Sequence, residues 1–330
     1  MHRVLLITGP AGDAQGWGDE GVTESVRQAI EAGGRNAATA FVRTMDELLA
    51  ALEQRSFDIV WSALYHVSDR ADTIGMSEDE GAWVADLLQA RKIPYIGPNA
   101  ATMRTLLNKA RTHEVLESHG VAVPAHFQVD AGDPAPPVPY PAFVKPCFES
   151  RSVGIDEESV VRTPAELQRR VEWVRERLEQ PAVVEEFLPG DEYTVLMVGN
   201  GSRREFLAGQ IYLADPSKGS PHGILRADMR GVGLTKIRKA EGDRAEEAAE
   251  LCRQACDVLG CLDHVRTDMR VDAAGRLKIM EVNGIPGLKP LKSWSPQIYT
   301  LFHPSAGGAA EDYRRLIDQI VGSALERFGR

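Results

Sequence analysis

The sequence predicts an α/β protein that begins with a parallel sheet and continues as an α+β structure. Residues 1–100 alternate apolar, strand-like runs with amphipathic helical stretches, which is typical of a parallel sheet with helices on both faces. Later strands follow one another through short turns, above all in the hairpin pattern of residues 266–288. The two halves of the chain therefore differ in architecture.

Composition limits the function classes open to this chain. Its 330 residues suggest two or three domains, and the net charge of −10 argues against a nucleic-acid partner because phosphate contacts need a basic face. No apolar run reaches membrane length, and the apolar run within the first ten residues is shorter than a secretory signal requires. We expect a cytoplasmic protein without a membrane partner. The four cysteines form no CxxC pair and are expected to be reduced thiols, at Cys147, Cys252, Cys256 and Cys261.

The first hundred residues supply the predicted parallel sheet. Ligands bind beyond the carboxyl ends of such strands, so the loops 9–20 and 65–75 are candidate ligand-binding segments. His66 follows a strand directly and is a candidate substrate contact, although a solvated loop histidine is the simpler alternative. The predicted strands are 3–8, 37–41, 58–64 and 94–97, and the predicted helices are 24–32, 45–54 and 83–90.

The next segment contains a lysine-bearing helix and a lysine-tipped strand. A helix is predicted to run to Gly120 and to carry Lys109, and a short strand follows it. After a loop at 130–141 with five prolines, the strand 142–146 ends at Lys145 and is followed by the small-residue loop 147–154. Tight loops expose backbone N–H groups that bind anionic oxygens, and Lys145 adds a point charge. This segment is therefore a candidate site for an anion, with a lysine on a helix surface as the simpler alternative for Lys109.

Acidic residues flank the next turn. A helix at 163–180 precedes the strand 182–188, which carries Glu185 and Glu186, and the turn Pro-Gly-Asp leads to Glu192. A solvent-facing acid pair is the simpler alternative. The remaining predicted elements are strands at 192–198 and 205–212, a loop at 213–234 with six glycines or prolines, and helices at 245–259 and 312–328.

The hairpin at 266–288 carries the candidate metal ligands. Strands at 266–271 and 277–282 are joined by the turn 272–275, so Asp268 on one strand can meet Glu281 and Asn283 on the other. Glu281 and Asn283 are two residues apart and share one face of a strand. Carboxylate and amide oxygens of this kind suit Mg²⁺, which also takes ligands from substrate phosphates. An ordinary charged surface hairpin is the alternative.

Together these motifs resemble the ATP-grasp ligases, specifically the D-alanine–D-alanine ligase branch. The resemblance covers nearly the whole chain and is densest at 142–154, 182–194 and 266–288. It implies a Rossmann-like N-terminal parallel sheet followed by the two-subdomain ATP-grasp fold. The implied domains are 1–103, 104–189 and 190–330, the last two being the central and C-terminal ATP-grasp subdomains.

The resemblance also implies roles for individual residues. Asp268, Glu281 and Asn283 hold the metal, while Arg266 and the backbone N–H of Gly287 stabilise an oxyanion. The nucleotide contacts are Lys109, Lys145 and Ser152 for the phosphates, Glu185, Glu186 and Leu188 for adenine, Glu192 for ribose, and Lys218 in a lid. The substrate contacts are His66, Arg151, Lys292 and Ser293.

The implied activity is ATP-dependent amide-bond formation between a small-molecule carboxylate and an amine. The carboxylate attacks the γ-phosphate to give an acyl phosphate, and the amine then displaces phosphate. ATP and Mg²⁺ are the implied cofactors, with two metal ions for which Mn²⁺ substitutes, and the family's habit suggests a homodimer. A carboxylate kinase and a non-catalytic nucleotide-binding module remain alternatives, although intact Arg266, Asp268, Glu281 and Asn283 argue against a silent module.

Three departures from the family pattern concern the first substrate. The first loop has no Glu-Val-Ser, Arg151 replaces the first lid serine, and Gly219 replaces the lid tyrosine. A guanidinium in place of a hydroxyl network requires an anionic partner, and Lys292 favours an acid in the second pocket. We therefore expect an amino-acid-like acid of a specialised biosynthetic pathway, with an authentic D-alanine–D-alanine ligase as the alternative.

Overall fold

The computed structural model describes residues 2–54, 56–215, 219–220, 222–224 and 234–330. Three sheets organise these residues: a four-stranded parallel sheet, a four-stranded antiparallel sheet and a five-stranded antiparallel sheet. No helix among them combines the length and the apolar character needed to cross a membrane. All four cysteines are buried and free.

The N-terminal sheet has helices on both faces, as predicted. Its strand order is β2-β1-β3-β4, and β1 is parallel to both of its neighbours. Side chains of β1 alternate between two cores because successive residues of a strand point to opposite faces. Val4 and Leu6 pack towards α2, and Leu5 and Ile7 towards α3 and α4. The elements are β1 Arg3–Thr8, α1 Gly12–Gln15, α2 Glu20–Ala32, β2 Asn36–Phe41, α3 Met45–Glu53, β3 Ile59–Ser62, α4 Val84–Ala90 and β4 Tyr95–Ile96.

The middle of the chain forms the second sheet, in the order β5-β8-β6-β7, which packs against α7. The single helix predicted to run to Gly120 is wrong, because the chain breaks at Asn108. The Asn108 side chain accepts a hydrogen bond from the Arg111 N–H at 2.9 Å and thereby begins a second helix. The elements are α5 Ala100–Leu107, α6 Lys109–Ser118, β5 His126–Val129, β6 Ala142–Pro146, β7 Val160–Val161, α7 Pro164–Leu178 and β8 Ala182–Glu186.

The C-terminal part contains the five-stranded sheet, in the order β11-β10-β9-β12-β13. The predicted hairpin is confirmed as β12 and β13, and α8 covers one face of this sheet. The strand β11 and the helix α9 were not predicted. The elements are β9 Glu192–Val198, β10 Glu205–Leu213, β11 Thr235–Lys239, α8 Gly242–Leu259, β12 His264–Val271, β13 Leu277–Asn283, α9 Trp294–Phe302 and α10 Gly308–Arg327.

A buried carboxylate joins the N-terminal sheet to the C-terminal part. Asp263 is fully buried and accepts hydrogen bonds from the Gly97 N–H at 2.8 Å and from the Asn200 amide at 2.6 Å. Arg327 at the end of α10 completes the set, with its Nη2 2.6 Å from Asp263 Oδ2. Because α10 also packs against α2, the last helix of the chain belongs to the core of the first sheet.

Arg327→Met should therefore destabilise the protein by about 3–5 kcal/mol, because it leaves the Asp263 carboxylate buried without its cation. The measurement is urea unfolding followed by circular dichroism. The control is Arg203→Met, which breaks the exposed ion pair between Arg203 and Glu326. Glu326 lies on α10 beside Arg327, and this change should lower the free energy of unfolding by less than about 1 kcal/mol. Equal losses for the two variants would contradict this role of Asp263.

Candidate active site

The carboxylate of Asp268 lies on β12, next to the edge strand of the five-stranded sheet, and accepts hydrogen bonds from side chains of three adjacent strands. Arg266 donates from Nε at 2.8 Å and from Nη2 at 2.6 Å. Thr194 on β9 donates its hydroxyl at 2.6 Å, and the Asn283 amide on β13 donates at 3.1 Å. Asp268 is buried, and these charge-assisted hydrogen bonds hold its carboxylate in a fixed orientation.

The pairing of β12 with β13 brings the predicted metal ligands together. Asp268 lies opposite Glu281, and Arg266 lies opposite Asn283. The Asn283 amide also lies 3.3 Å from Glu281 Oε1, so it bridges the two carboxylates. Lys109 reaches the same place from α6, with its Nζ 3.7 Å from Glu281 Oε2.

The donor set of this hairpin fits a divalent cation of the Mg²⁺ type. Two carboxylates and one side-chain amide face one another, and Mg²⁺ is usually bound by one or two carboxylates together with substrate phosphates. The Asn283 amide nitrogen lies between the two carboxylates, and a half-turn of the amide would place its oxygen there instead. Among the described residues, no group of three or more His, Cys, Asp or Glu side chains is arranged to hold a metal ion.

A large cleft opens beside the hairpin, between the two antiparallel sheets. Its lining includes Phe143, Ile155 and Met280, which give it an apolar wall. Seven of the predicted site residues also line it, namely Lys109, Lys145, Ser152, Glu185, Glu192, Asp268 and Glu281.

A buried charge network forms one end of the large cleft. Lys145 Nζ lies 2.7 Å from Glu185 Oε1 and donates a hydrogen bond to the Met280 carbonyl at 2.9 Å. The His113 ring is fully buried behind them, with Nε2 3.0 Å from the same carbonyl and Nδ1 3.2 Å from Glu185. Burial raises the pKa of Glu185 and lowers the pKa of His113 well below its usual range. Lys145 is therefore the cation that pairs with the Glu185 carboxylate at this end of the large cleft.

The strand that carries the acid pair ends at Glu186, two residues earlier than predicted. The Glu186 N–H donates a hydrogen bond to the Ala125 carbonyl at 2.8 Å and is therefore already occupied. A backbone contact between Glu186 and adenine would have to use the Glu186 carbonyl oxygen. The Glu186 side chain turns away and pairs with Lys278 at 2.6 Å. Leu188 is buried just beyond, and Glu192 lines the large cleft.

The loop 147–154 is attached to the N-terminal part of the protein. The Ser150 hydroxyl donates to the Ala14 carbonyl at 2.9 Å, and Arg151 pairs with Asp13. Arg151 and Ser152 both have left-handed backbone conformations, with φ of 56° and 60°, which are strained for residues other than glycine. Arg151 is exposed and lines neither cleft, whereas Ser152 lines the large one.

A small cleft adjoins the large one and extends towards the N-terminal sheet. The two clefts share Lys109, Glu149, Ser150 and Glu281. A group bound in one cleft can therefore meet a group bound in the other beside Glu281. The rest of the lining of the small cleft is mixed. Its polar residues are Gln15, Tyr65 and Asn283, and its apolar residues are Ile74, Leu106, Leu107, Phe148, Val282 and Ile285.

Tyr65, rather than the predicted substrate contact His66, lines the small cleft. The His66 ring is buried against Trp83, with ring centroids 5.7 Å apart, and lines neither cleft. Neighbouring side chains of an extended chain point in opposite directions, so only one of the two can face the cleft. The Tyr65 hydroxyl accepts hydrogen bonds from the N–H groups of Gly284 and Ile285.

The remaining predicted residues lie on the turn before α9 or outside the described residues. A Cβ on Gly287 would lie 2.8 Å from Ser293 Oγ, so the serine side chain would have to move to admit any other residue. Ser293 is half-buried at the start of α9, and Lys292 is exposed and lines neither cleft. Lys218 lies outside the described residues.

Glu149 is a residue of the site that sequence reasoning missed. Its buried carboxylate accepts hydrogen bonds from the N–H groups of Ile74 and Gly75, both at 2.9 Å, and from Gln180 at 2.8 Å. Its carbonyl accepts from Lys109. Glu149 thus joins the loop after β3 to the loop 147–154, but within the sequence it is indistinguishable from a solvated acid.

Comparisons with known proteins agree with this geometry. Residues 135–321 match the family model described as D-ala D-ala ligase C-terminus. A D-alanine–D-alanine ligase of Ectopseudomonas mendocina is 27% identical over 314 residues, covering 92% of this chain and 89% of that protein. One from Stutzerimonas stutzeri is 27% identical over 311 residues, covering 92% of this chain and 88% of its own.

A solved structure shares the whole fold. The crystal structure of a D-alanine–D-alanine ligase from Bacillus anthracis, complexed with ATP, covers 99% of this chain and 98% of its own. The TM-score is 0.70 at 20% sequence identity. The predicted fold, an N-terminal parallel sheet followed by the ATP-grasp arrangement, is confirmed.

Glu281→Gln should weaken the Mg²⁺ dependence of ATP binding, because it removes one of the two carboxylates that face the hairpin site. We expect the apparent Mg²⁺ affinity to fall by at least about tenfold. The measurement is calorimetric titration of ATP at a series of Mg²⁺ concentrations. Glu158→Gln is the control, because that side chain is 84% exposed and lines neither cleft. An unchanged Mg²⁺ dependence in Glu281→Gln would rule out this metal site.

Proposed function

The chain belongs to the D-ala D-ala ligase C-terminus family and is an ATP-dependent carboxylate–amine ligase of that type, and from this premise we propose that its acid substrate is an amino-acid-like acid of a specialised biosynthetic pathway. The reaction forms an amide bond through an acyl phosphate. ADP and phosphate are the other products.

The observation that supports this reaction best is the meeting of the two clefts. Glu281 and Lys109 line both of them, and Asp268 lies opposite Glu281 in the hairpin. A nucleotide in the large cleft and an acid in the small cleft would therefore be brought together beside a carboxylate pair and a lysine. Phosphoryl transfer depends largely on such positioning and on charge neutralisation.

The nucleotide and its metal supply the γ-phosphoryl group and the charge neutralisation that its transfer requires. Asp268, Glu281 and Asn283 would hold two Mg²⁺ ions, or Mn²⁺ in their place. Lys109 and Lys145 place positive charge along the large cleft, and Ser152 lies at its rim. Glu185 and the carbonyl of Glu186 would contact adenine, and Glu192 would contact ribose.

The amide-forming half of the reaction needs groups that stabilise negative charge on oxygen. Arg266 lies beside Asp268, and the Gly287 N–H lies on the turn after β13. Donors held in place in this way stabilise a tetrahedral oxyanion without further reorganisation. Ser293 and Lys292 would bind the acid group of the amine substrate.

The first loop supports a substrate other than D-alanine. Asp13 pairs with Arg151, and Asp19 accepts from the Val22 N–H at 2.8 Å and lies 3.6 Å from Lys289. These acids therefore hold protein groups rather than a substrate amine. The names of the relatives favour the second candidate, an authentic D-alanine–D-alanine ligase.

The organisation of the protein follows from the same proposal. The proposed domains are 1–103, 104–189 and 190–330. The resemblance also supports a homodimer in the cytoplasm. Size-exclusion chromatography with light scattering measures the assembly directly.

A phosphate-release screen tests the proposed function. Purified protein with ATP and Mg²⁺ should release phosphate only when both an acid and an amine are present, because the amine discharges the acyl phosphate. Steady ADP formation with the acid alone would instead indicate a carboxylate kinase. D-alanine as sole substrate is the key comparison, since a kcat/KM for D-alanine as high as for any other acid would favour the authentic D-alanine–D-alanine ligase.

A further inference from the structure

The fully buried ring of His113 lies behind the end of the large cleft that contains Glu185, and it lines neither cleft. Its Nε2 lies 3.0 Å from the Met280 carbonyl oxygen, and its Nδ1 lies 3.2 Å from Glu185 Oε1. Both ring nitrogens therefore face oxygen atoms. A half-turn of the ring would place carbon atoms at both positions, so these two contacts assign its orientation.

The Met280 carbonyl fixes one hydrogen of the His113 ring. A carbonyl oxygen only accepts hydrogen bonds, so Nε2 carries a hydrogen and donates it. In a neutral imidazole only one nitrogen carries hydrogen, which leaves Nδ1 as an acceptor. Nδ1 is buried and has no hydrogen-bond partner among the described residues. The ring therefore directs an unsatisfied acceptor at Glu185.

An ionised Glu185 carboxylate would place a second acceptor against Nδ1. Two acceptor atoms 3.2 Å apart repel each other, and the low dielectric of the interior makes this repulsion costly. One added proton removes the conflict. On Nδ1 it gives an imidazolium that donates to the carboxylate, and on Oε1 it gives a carboxylic acid that donates to the imidazole. Both forms hold the same number of protons, and the pair titrates as a unit.

The charges around the pair favour the second form. Burial raises the pKa of Glu185, and burial together with the Lys145 ammonium lowers the pKa of His113. Lys109, on the same helix as His113, adds a positive charge that acts on both groups. The His126 ring on β5 packs edge-on against the His113 ring, with centroids 5.1 Å apart. The shared proton is therefore held as a carboxylic acid beside a neutral imidazole.

The shared proton lies on the inner side of the Glu185 side chain. The contacts with Lys145 and His113 both involve Oε1, and Glu185 lines the large cleft. The other oxygen, Oε2, carries no proton in either form and can only accept hydrogen bonds. Without His113, a buried carboxyl group can hold its proton on either oxygen, and a protonated Oε2 would be a donor.

We propose that His113 is a positioning residue for the nucleotide base, which holds the proton of the pair on Glu185 Oε1 and so keeps Oε2 an acceptor for the exocyclic amine of adenine. The inference rests on the proposed function, in which Glu185 contacts adenine. It assigns the preference for an amino-substituted purine to a side chain that lies outside the cleft and touches no nucleotide.

The test compares the binding of ATP with that of purine riboside triphosphate, which lacks only the exocyclic amine. Calorimetric titration of the wild-type protein in the presence of Mg²⁺ should give at least about tenfold higher affinity for ATP, because the amine donates to Oε2. The two nucleotides have identical phosphates, so the ratio of their affinities does not depend on the metal site. Equal affinities would overturn the proposal.

His113→Phe should lower this ratio by about tenfold, through weaker ATP binding rather than tighter binding of the analogue. His113→Lys should keep the ratio, because an ammonium donates to both the Met280 carbonyl and Glu185 Oε1. His264→Phe is the matched control and should also keep it. His264 is a second buried histidine with an unpartnered Nε2, burial lowers its pKa to about 3, and it lines neither cleft.

An unchanged ratio in His113→Phe would overturn the role of His113. Loss of the ratio in His113→Lys as well would show that the ring only fills space, and would also overturn it. If His113→Phe does not fold, the wild-type ratio and His113→Lys decide the proposal. Wild-type protein that binds neither nucleotide would overturn the proposed function, whereas binding of both without a preference would overturn this inference alone.

Discussion

The buried carboxylate of Asp268 is the constraint on which the site depends. A buried anion is tolerated only when donors surround it, and here they come from Thr194 on β9, Arg266 on β12 and Asn283 on β13. These contacts fix the register of the three strands and place Glu281 opposite Asp268. The residues just after Asn283 bind the Tyr65 hydroxyl, so the same hairpin also positions the N-terminal sheet.

Much of this arrangement could be predicted from the sequence because it depends on local patterns. The alternating residues 266–271 and the turn 272–275 predict the hairpin. The two-residue spacing of Glu281 and Asn283 predicts that their side chains share one face of the strand. Alternating strands and helices predict the N-terminal sheet in the same way. The strand that ends at Lys145 could likewise be predicted, because a loop of small residues follows it.

Other features depend on contacts between distant segments, which a single sequence does not show. The corner after β3 illustrates this limit, because the sequence does not show which of Tyr65 and His66 faces the cleft and which packs against Trp83. Glu149 and Asp263 illustrate the same limit. Each carboxylate accepts a hydrogen bond from a backbone N–H that is distant in the sequence. The break at Asn108 did have a local signal, namely an asparagine able to cap a helix.

The central claim is that an acid in the small cleft attacks the γ-phosphate of a nucleotide in the large cleft. Positional isotope exchange measures this step without an amine. ATP labelled with ¹⁸O at the β,γ-bridge is incubated with the protein, Mg²⁺ and each acid alone. Reversible acyl phosphate formation predicts that the label moves into non-bridging β-positions only when a substrate acid is present. Nucleotide binding without any acid-dependent movement of the label would contradict the account.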